Sequence, residues 1–112
     1  MTFERFDLGI GVSDSRIVGY VRTDDAVVVS LRLWNETLVE LRFGRLVLLH
    51  DCLASDVDDI VRGGLSKPAL EAQDENGAGD LVEYRFVDAM GRASLLIVCE
   101  VAGRVEIVED AL

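Results

Sequence analysis

Side chains that alternate between apolar and polar constrain the fold of this chain more than any other feature. Val27, Val29, Leu31 and Leu33 alternate with Val28, Ser30, Arg32 and Trp34. Successive residues of an extended strand point to opposite sides, so a period of two marks a strand with one buried face. A helix would need a period near 3.6. The same pattern recurs in Val39, Leu41 and Phe43 against Leu38, Glu40 and Arg42, and in Val82, Tyr84 and Phe86 against Glu83, Arg85 and Val87. It continues through Leu95, Ile97, Cys99 and Val101, then Val105 and Ile107. Short segments rich in Val, Ile and Leu, separated by turn formers, predict a mainly β fold. The expected form is an antiparallel β-sandwich or bent meander of about seven to eight strands. At 112 residues the chain fits a single domain, 1–112, able to hold a core without metal or disulfide.

A slip of one residue turns every side chain of a strand to the wrong face, so apolar parity predicts the pairing. A two-residue turn at Asp24-Asp25 sets Tyr20 opposite Val29 and Val18 opposite Leu31. A loop of Asn35, Glu36 and Thr37 sets Leu31 opposite Leu41 and Arg32 opposite Glu40. A turn at Met90-Gly91 sets Phe86 opposite Leu95 and Tyr84 opposite Ile97, and one around Gly103 sets Val101 opposite Val105. One short helix is expected near 55–62, because Ser55 and Asp58 have the spacing of a capping box. Val57, Ile60 and Val61 would form its apolar face, and Asp56, Asp58 and Asp59 would sit at the favoured end of its dipole. Gly63-Gly64 would stop it. Residues 63–80 read as a loop. Residues 46–49 and 95–99 are apolar on both sides of their strands and predict burial on both faces, which a homodimer would supply.

The formal net charge is −10, and it is uneven. Residues 1–50 carry six arginines against seven carboxylates, whereas residues 51–112 carry five basic groups against fourteen. Such a field repels nucleic acid and anionic membranes and attracts a basic protein partner. No aliphatic run is long enough to span a membrane. Glu4, Arg5, Asp7 and Asp14 interrupt the first residues, so no signal peptide is expected, and the reading is a cytoplasmic protein with reduced Cys52 and Cys99.

Few residues carry chemistry. His50, Asp51 and Cys52 are consecutive, and a strand would put His50 and Cys52 on one side with Asp51 on the other. Residues 74–80 resemble a calcium loop, but Arg85 stands where the bidentate carboxylate belongs. One histidine and two cysteines do not complete a structural zinc site without carboxylates, so no cofactor or metal is expected. Trp34 at a hairpin end could share a surface with Arg32, Arg42, Arg45 and Leu38, since Trp and Arg dominate binding hot spots. The favoured reading is therefore a non-enzymatic, acidic interaction module, with Trp34, Arg32, Arg42, Asp56, Asp58 and Asp59 as candidate binding residues. The alternative is a small-molecule or enzymatic site between the sheets, formed by His50, Cys52 and Tyr84.

The run Asp14-Ser15-Arg16-Ile17, the alternating residues 27–33, then Phe43 and Leu46-Val47 resemble a pattern in small bacterial β-rich proteins. Some of those are grouped with the immunity proteins of polymorphic toxin systems. The likeness covers the first half of the chain, and Ser13 stands where those proteins have His. The resemblance implies a toxin-binding role and carries over no catalytic residue.

Overall fold

A computed structural model describes residues 3–6, 8–63 and 80–109, and the regular elements among them are all β-strands. One antiparallel sheet has the order β1 (Phe3–Arg5), β7 (Asp59–Gly63), β8 (Leu81–Val87), β9 (Ala93–Glu100), β5 (Leu46–Asp51). The second has the order β10 (Val105–Glu109), β4 (Leu38–Gly44), β3 (Ala26–Arg32), β2 (Ser15–Arg22), β6 (Asp56–Val57). Among the described residues ten strands stand where seven or eight were expected: β1 and β6 are too short for alternation to show, and β7 falls where a helix was expected. Among the described residues no helix is long and apolar enough to cross a membrane.

The alternating side chains do what their period requires. Val27, Val29 and Leu31 of β3 and Val39, Leu41 and Phe43 of β4 face Tyr84, Phe86, Leu95 and Ile97 of the other sheet. Phe43 bridges the layers, with ring centroids 5.2 Å from Tyr84 and 5.8 Å from Phe86, and Phe6 lies edge-on to Tyr84 at 5.1 Å. Each such buried side chain contributes roughly 1.5–3 kcal/mol. β9 is buried on both faces within one chain: Leu96 and Val98 join Leu81 in a second cluster, against Val47 and Leu48. Residues 46–49 of β5 are only half-buried, because β5 is an edge.

The turns deliver the expected registers in part. Thr23 and Ala26 close the Asp24-Asp25 turn, and Tyr20 stands opposite Val29. A bulge between Ile17 and Gly19 then puts Ile17, not Val18, opposite Leu31. Phe86 opposes Leu95 and Tyr84 opposes Ile97, as predicted. The β3–β4 loop is displaced by one residue: Leu33 bonds Thr37, so the loop is Trp34, Asn35 and Glu36. Glu36 takes the left-handed conformation (φ 68°), which spares the β-branched Thr37. Leu31 therefore faces Val39, and Arg32 faces Leu38 instead of Glu40. Parity is kept and register moves by two.

Two expectations are corrected. Residues 55–62 form no helix. Val57 on β6 and Ile60 on β7 are both buried, but in different sheets, with the chain crossing between them at Asp58. The helix-like spacing comes from two extended segments joined by a bend, and β-branched Val57, Ile60 and Val61 suit strands. The bonds a helix start would need go elsewhere: the Asp58 N–H donates to the Val87 carbonyl and the Ser55 carbonyl accepts from Ile17. The hairpin around Gly103 is also absent, since β10 pairs with β4 in the other sheet. Gly103 allows that crossing, because a Cβ there would overlap the Gly44 carbonyl. Of the 63–80 loop, all but its two ends lie outside the described residues, as do the calcium-like residues 74–79.

Candidate functional site

The most distinctive surface forms where β5 ends and the chain returns along β2. Asp51 organises it with both carboxylate oxygens. Oδ1 accepts the Leu53 N–H at 2.8 Å, an Asx turn, and Oδ2 accepts the Tyr20 hydroxyl at 3.1 Å. That hydrogen bond raises the Tyr20 pKa, so the phenol stays a donor at neutral pH. The chain then doubles back: Leu53 takes φ 60°, the Ser55 carbonyl accepts the Ile17 N–H at 2.8 Å, and β6 pairs with Ser15 and Arg16. Between β2 and this returning segment lies a cleft of about 300 Å³, walled by Ile17, Val18, Tyr20 and Leu53 and floored by Leu95. Leu53 is 91% exposed.

Carboxylates gather at this end. The Cys52 N–H bonds the Ser94 carbonyl, and the Ser94 hydroxyl donates to the Asp56 carbonyl at 2.7 Å, tying segment 51–58 to the β8–β9 turn. Asp58 accepts the Ser13 hydroxyl at 2.9 Å, and Asp59 pairs with Arg5 at 3.3 Å. In the turn itself, Asp88 accepts the Arg92 and Met90 N–H groups, and these hold its carboxyl below the usual aspartate range. Asp51, Asp56, Asp58, Asp59 and Asp88 thus share one end of the sandwich, at the termini of strands instead of on a helix.

The Arg-rich surface expected around Trp34 divides in two. Trp34 is 69% exposed and lines a cleft of about 240 Å³ with Arg16 and Arg32. Arg16 and Arg32 are direct cross-strand partners, and Leu38 lies opposite Arg32. Arg42 sits toward the far end of β4, 4.0 Å from Asp25, and Arg45 pairs with Glu100 at 3.1 Å. The length of β4 separates them from Trp34, so no single surface joins all of these residues.

His50, Cys52 and Tyr84 do not converge either. His50 pairs with Leu96 and Tyr84 with Ile97, which puts the two on opposite faces of the same sheet. Tyr84 packs in the core between Phe6 and Phe43, while His50 is exposed. Burial pushes the Cys52 thiol up, with Asp51 adding to it, and pushes Cys99 up to about 12, so both are protonated at neutral pH. Among the described residues no group of three or more His, Cys, Asp or Glu is placed to hold a metal.

Tyr20, Leu53 and the exposed edge of β2 escaped the sequence reading. Two signals were available: the doubled apolar pair Ile17-Val18 before Gly19, which marks a bulge, and Asp51 two residues before Leu53, which has Asx-turn spacing. Compared with known proteins, the chain matches no family model, no curated protein and no solved structure.

Proposed function

We propose that this chain is an interaction module that binds a basic protein partner at the end where β5 turns into β6. One observation carries the reading: Leu53, an apolar side chain 91% exposed to solvent, lies between Asp51 and Asp56 on the segment that returns beside β2, with Asp58 and Asp59 further along the same chain. A charged rim steers a partner and fixes its orientation, while a central apolar anchor gains free energy from burial. The net charge of −10 extends that attraction to longer range. The immunity-like role implied by the resemblance is one form of this reading, with a basic toxin domain as the partner. The Asp14-Ser15-Arg16-Ile17 run supports it by position, since Ser15 and Arg16 pair with β6 and Ile17 lines the cleft.

The test is a calorimetric titration of the full chain with a cationic Lys/Leu peptide and its Glu/Leu counterpart across a salt series. The cationic peptide should bind, with affinity that falls steeply as salt rises. Equal binding of the anionic peptide, or binding insensitive to salt, would contradict the proposal.

A further inference from the structure

An antiparallel sandwich leaves backbone donors and acceptors unpaired at its sheet edges, and edges are usually blunted. β1 has three residues and β6 two, and β10 carries the exposed Glu106. β5 is half-buried along 46–49, and the Asp25 carbonyl takes its first N–H. β2 is different. β6 covers only Ser15 and Arg16, Ser55 takes the Ile17 N–H, and among the described residues no strand lies beside residues 18–22 on that side.

The Thr23–Ala26 bond that closes the hairpin decides which backbone groups are free. Thr23, Val21 and Gly19 turn theirs toward β3, so alternation turns those of Tyr20 and Arg22 outward. No charge and no proline guards residues 18–21, and Val18, Tyr20 and Val21 are exposed, Val21 at 65%. The cleft beside Tyr20 offers room for an incoming side chain.

We infer that the edge of β2 over residues 18–22 is a strand-addition site for an extended, basic segment of a protein partner. Backbone pairing supplies affinity in this mode, and pockets for alternate side chains supply specificity. The added strand continues the ladder that β6 begins and ends where Ser55 bonds Ile17. Asp51 stands at this edge, where it accepts the Tyr20 hydroxyl, and the net charge of −10 favours a cation. The same charge disfavours a second copy, because antiparallel self-pairing about Tyr20 would bring together two chains of charge −10 through their Asp51 sides. The charge of the occupant rests on the basic-partner reading above, while its extended geometry does not.

The experiment selects peptides from a phage-displayed random library on the full chain and measures backbone amide exchange by NMR with and without the synthesised winners. The amides of Tyr20 and Arg22 should exchange freely in the dilute chain and gain about tenfold or more protection on binding, while Gly19 and Val21 change little. Enriched sequences should alternate apolar residues with Lys or Arg. Arg22→Pro removes an outward N–H at a position where an edge strand tolerates proline. Val21→Lys sets a like charge beside a basic strand through a side chain already in solvent, so it remains informative if Arg22→Pro fails to fold. Each should weaken binding about tenfold or more.

No enrichment overturns the proposal. So does protection of Tyr20 and Arg22 already present in the dilute free chain, which assigns the edge to the chain itself, or protection that grows with protein concentration, which assigns it to a second copy. Basic peptides that protect only residues 51–59 uphold the partner reading and overturn the strand addition. Winners without basic residues that still protect Tyr20 and Arg22 uphold the edge and overturn the charge of its occupant.

Discussion

Leu53 is placed at a double cost. A branched side chain in the left-handed region costs roughly 1–2 kcal/mol, and its apolar surface is in water. Leu53→Gly should remove the strain while giving back part of that gain as unfolded-state entropy, for a net stabilisation of up to about 1 kcal/mol in urea denaturation. The same variant should weaken binding to a cationic peptide. Greater stability with unchanged binding would make Leu53 an ordinary loop residue. The thiols give a second residue-scale prediction. Cys99 has its pKa raised to about 12, above an unfolded value of about 8.5, so its contribution to stability is whole below the lower value. That contribution is lost as pH climbs from there toward 12. Alkylation of the native chain at mildly alkaline pH should therefore modify Cys52 slowly and Cys99 only on unfolding.

Among the elements, what could be read from the residues was set by how local its cause is. Alternation alone placed β3, β4, β8 and β9, because a half-buried strand is written in its own residues. The two-residue Asp24-Asp25 turn fixed the β2–β3 register as far as Gly19, whereas β8–β9 reaches its expected pairing through a three-residue loop and a bulge between Phe86 and Val87. Where the loop was longer, apolar pattern gave only parity, and Leu31 met Val39 instead of Leu41. The helix expected at 55–62 failed because a strand that changes sheets repeats the three-residue spacing of a helical face. The β9–β10 hairpin failed because Gly103 serves a crossing between layers, and a close approach of backbones leaves no local signal. Gly103→Ala tests that account: collision with the Gly44 carbonyl should cost about 1–3 kcal/mol in thermal or urea unfolding. A neutral substitution would mean that the corner yields freely. The candidate site was least legible of all. Asp56, Asp58 and Asp59 were named from the sequence, but Asp51, Tyr20 and the β2 edge depend on how the chain turns after β5 and where β6 stops.

At the scale of the molecule, the charge that draws a partner also works against the fold. Ion pairs such as Arg45–Glu100 and Arg92–Asp88 lie on the surface, where each contributes about 0–1 kcal/mol. They leave the −10 balance in place, and its self-repulsion opposes folding. Added salt should therefore raise the melting temperature while it weakens binding to a basic partner, opposite responses to the same screening. The inter-sheet cluster that positions the acidic end is apolar. The most direct measurement is an NMR titration of the full chain with a cationic alternating peptide at low salt, repeated at high salt. Shifts should be confined to residues 18–22 and 51–56 and should vanish as salt rises. Shifts centred on Trp34 or on the His50 face, or a pattern that persists in high salt, would contradict the proposed site.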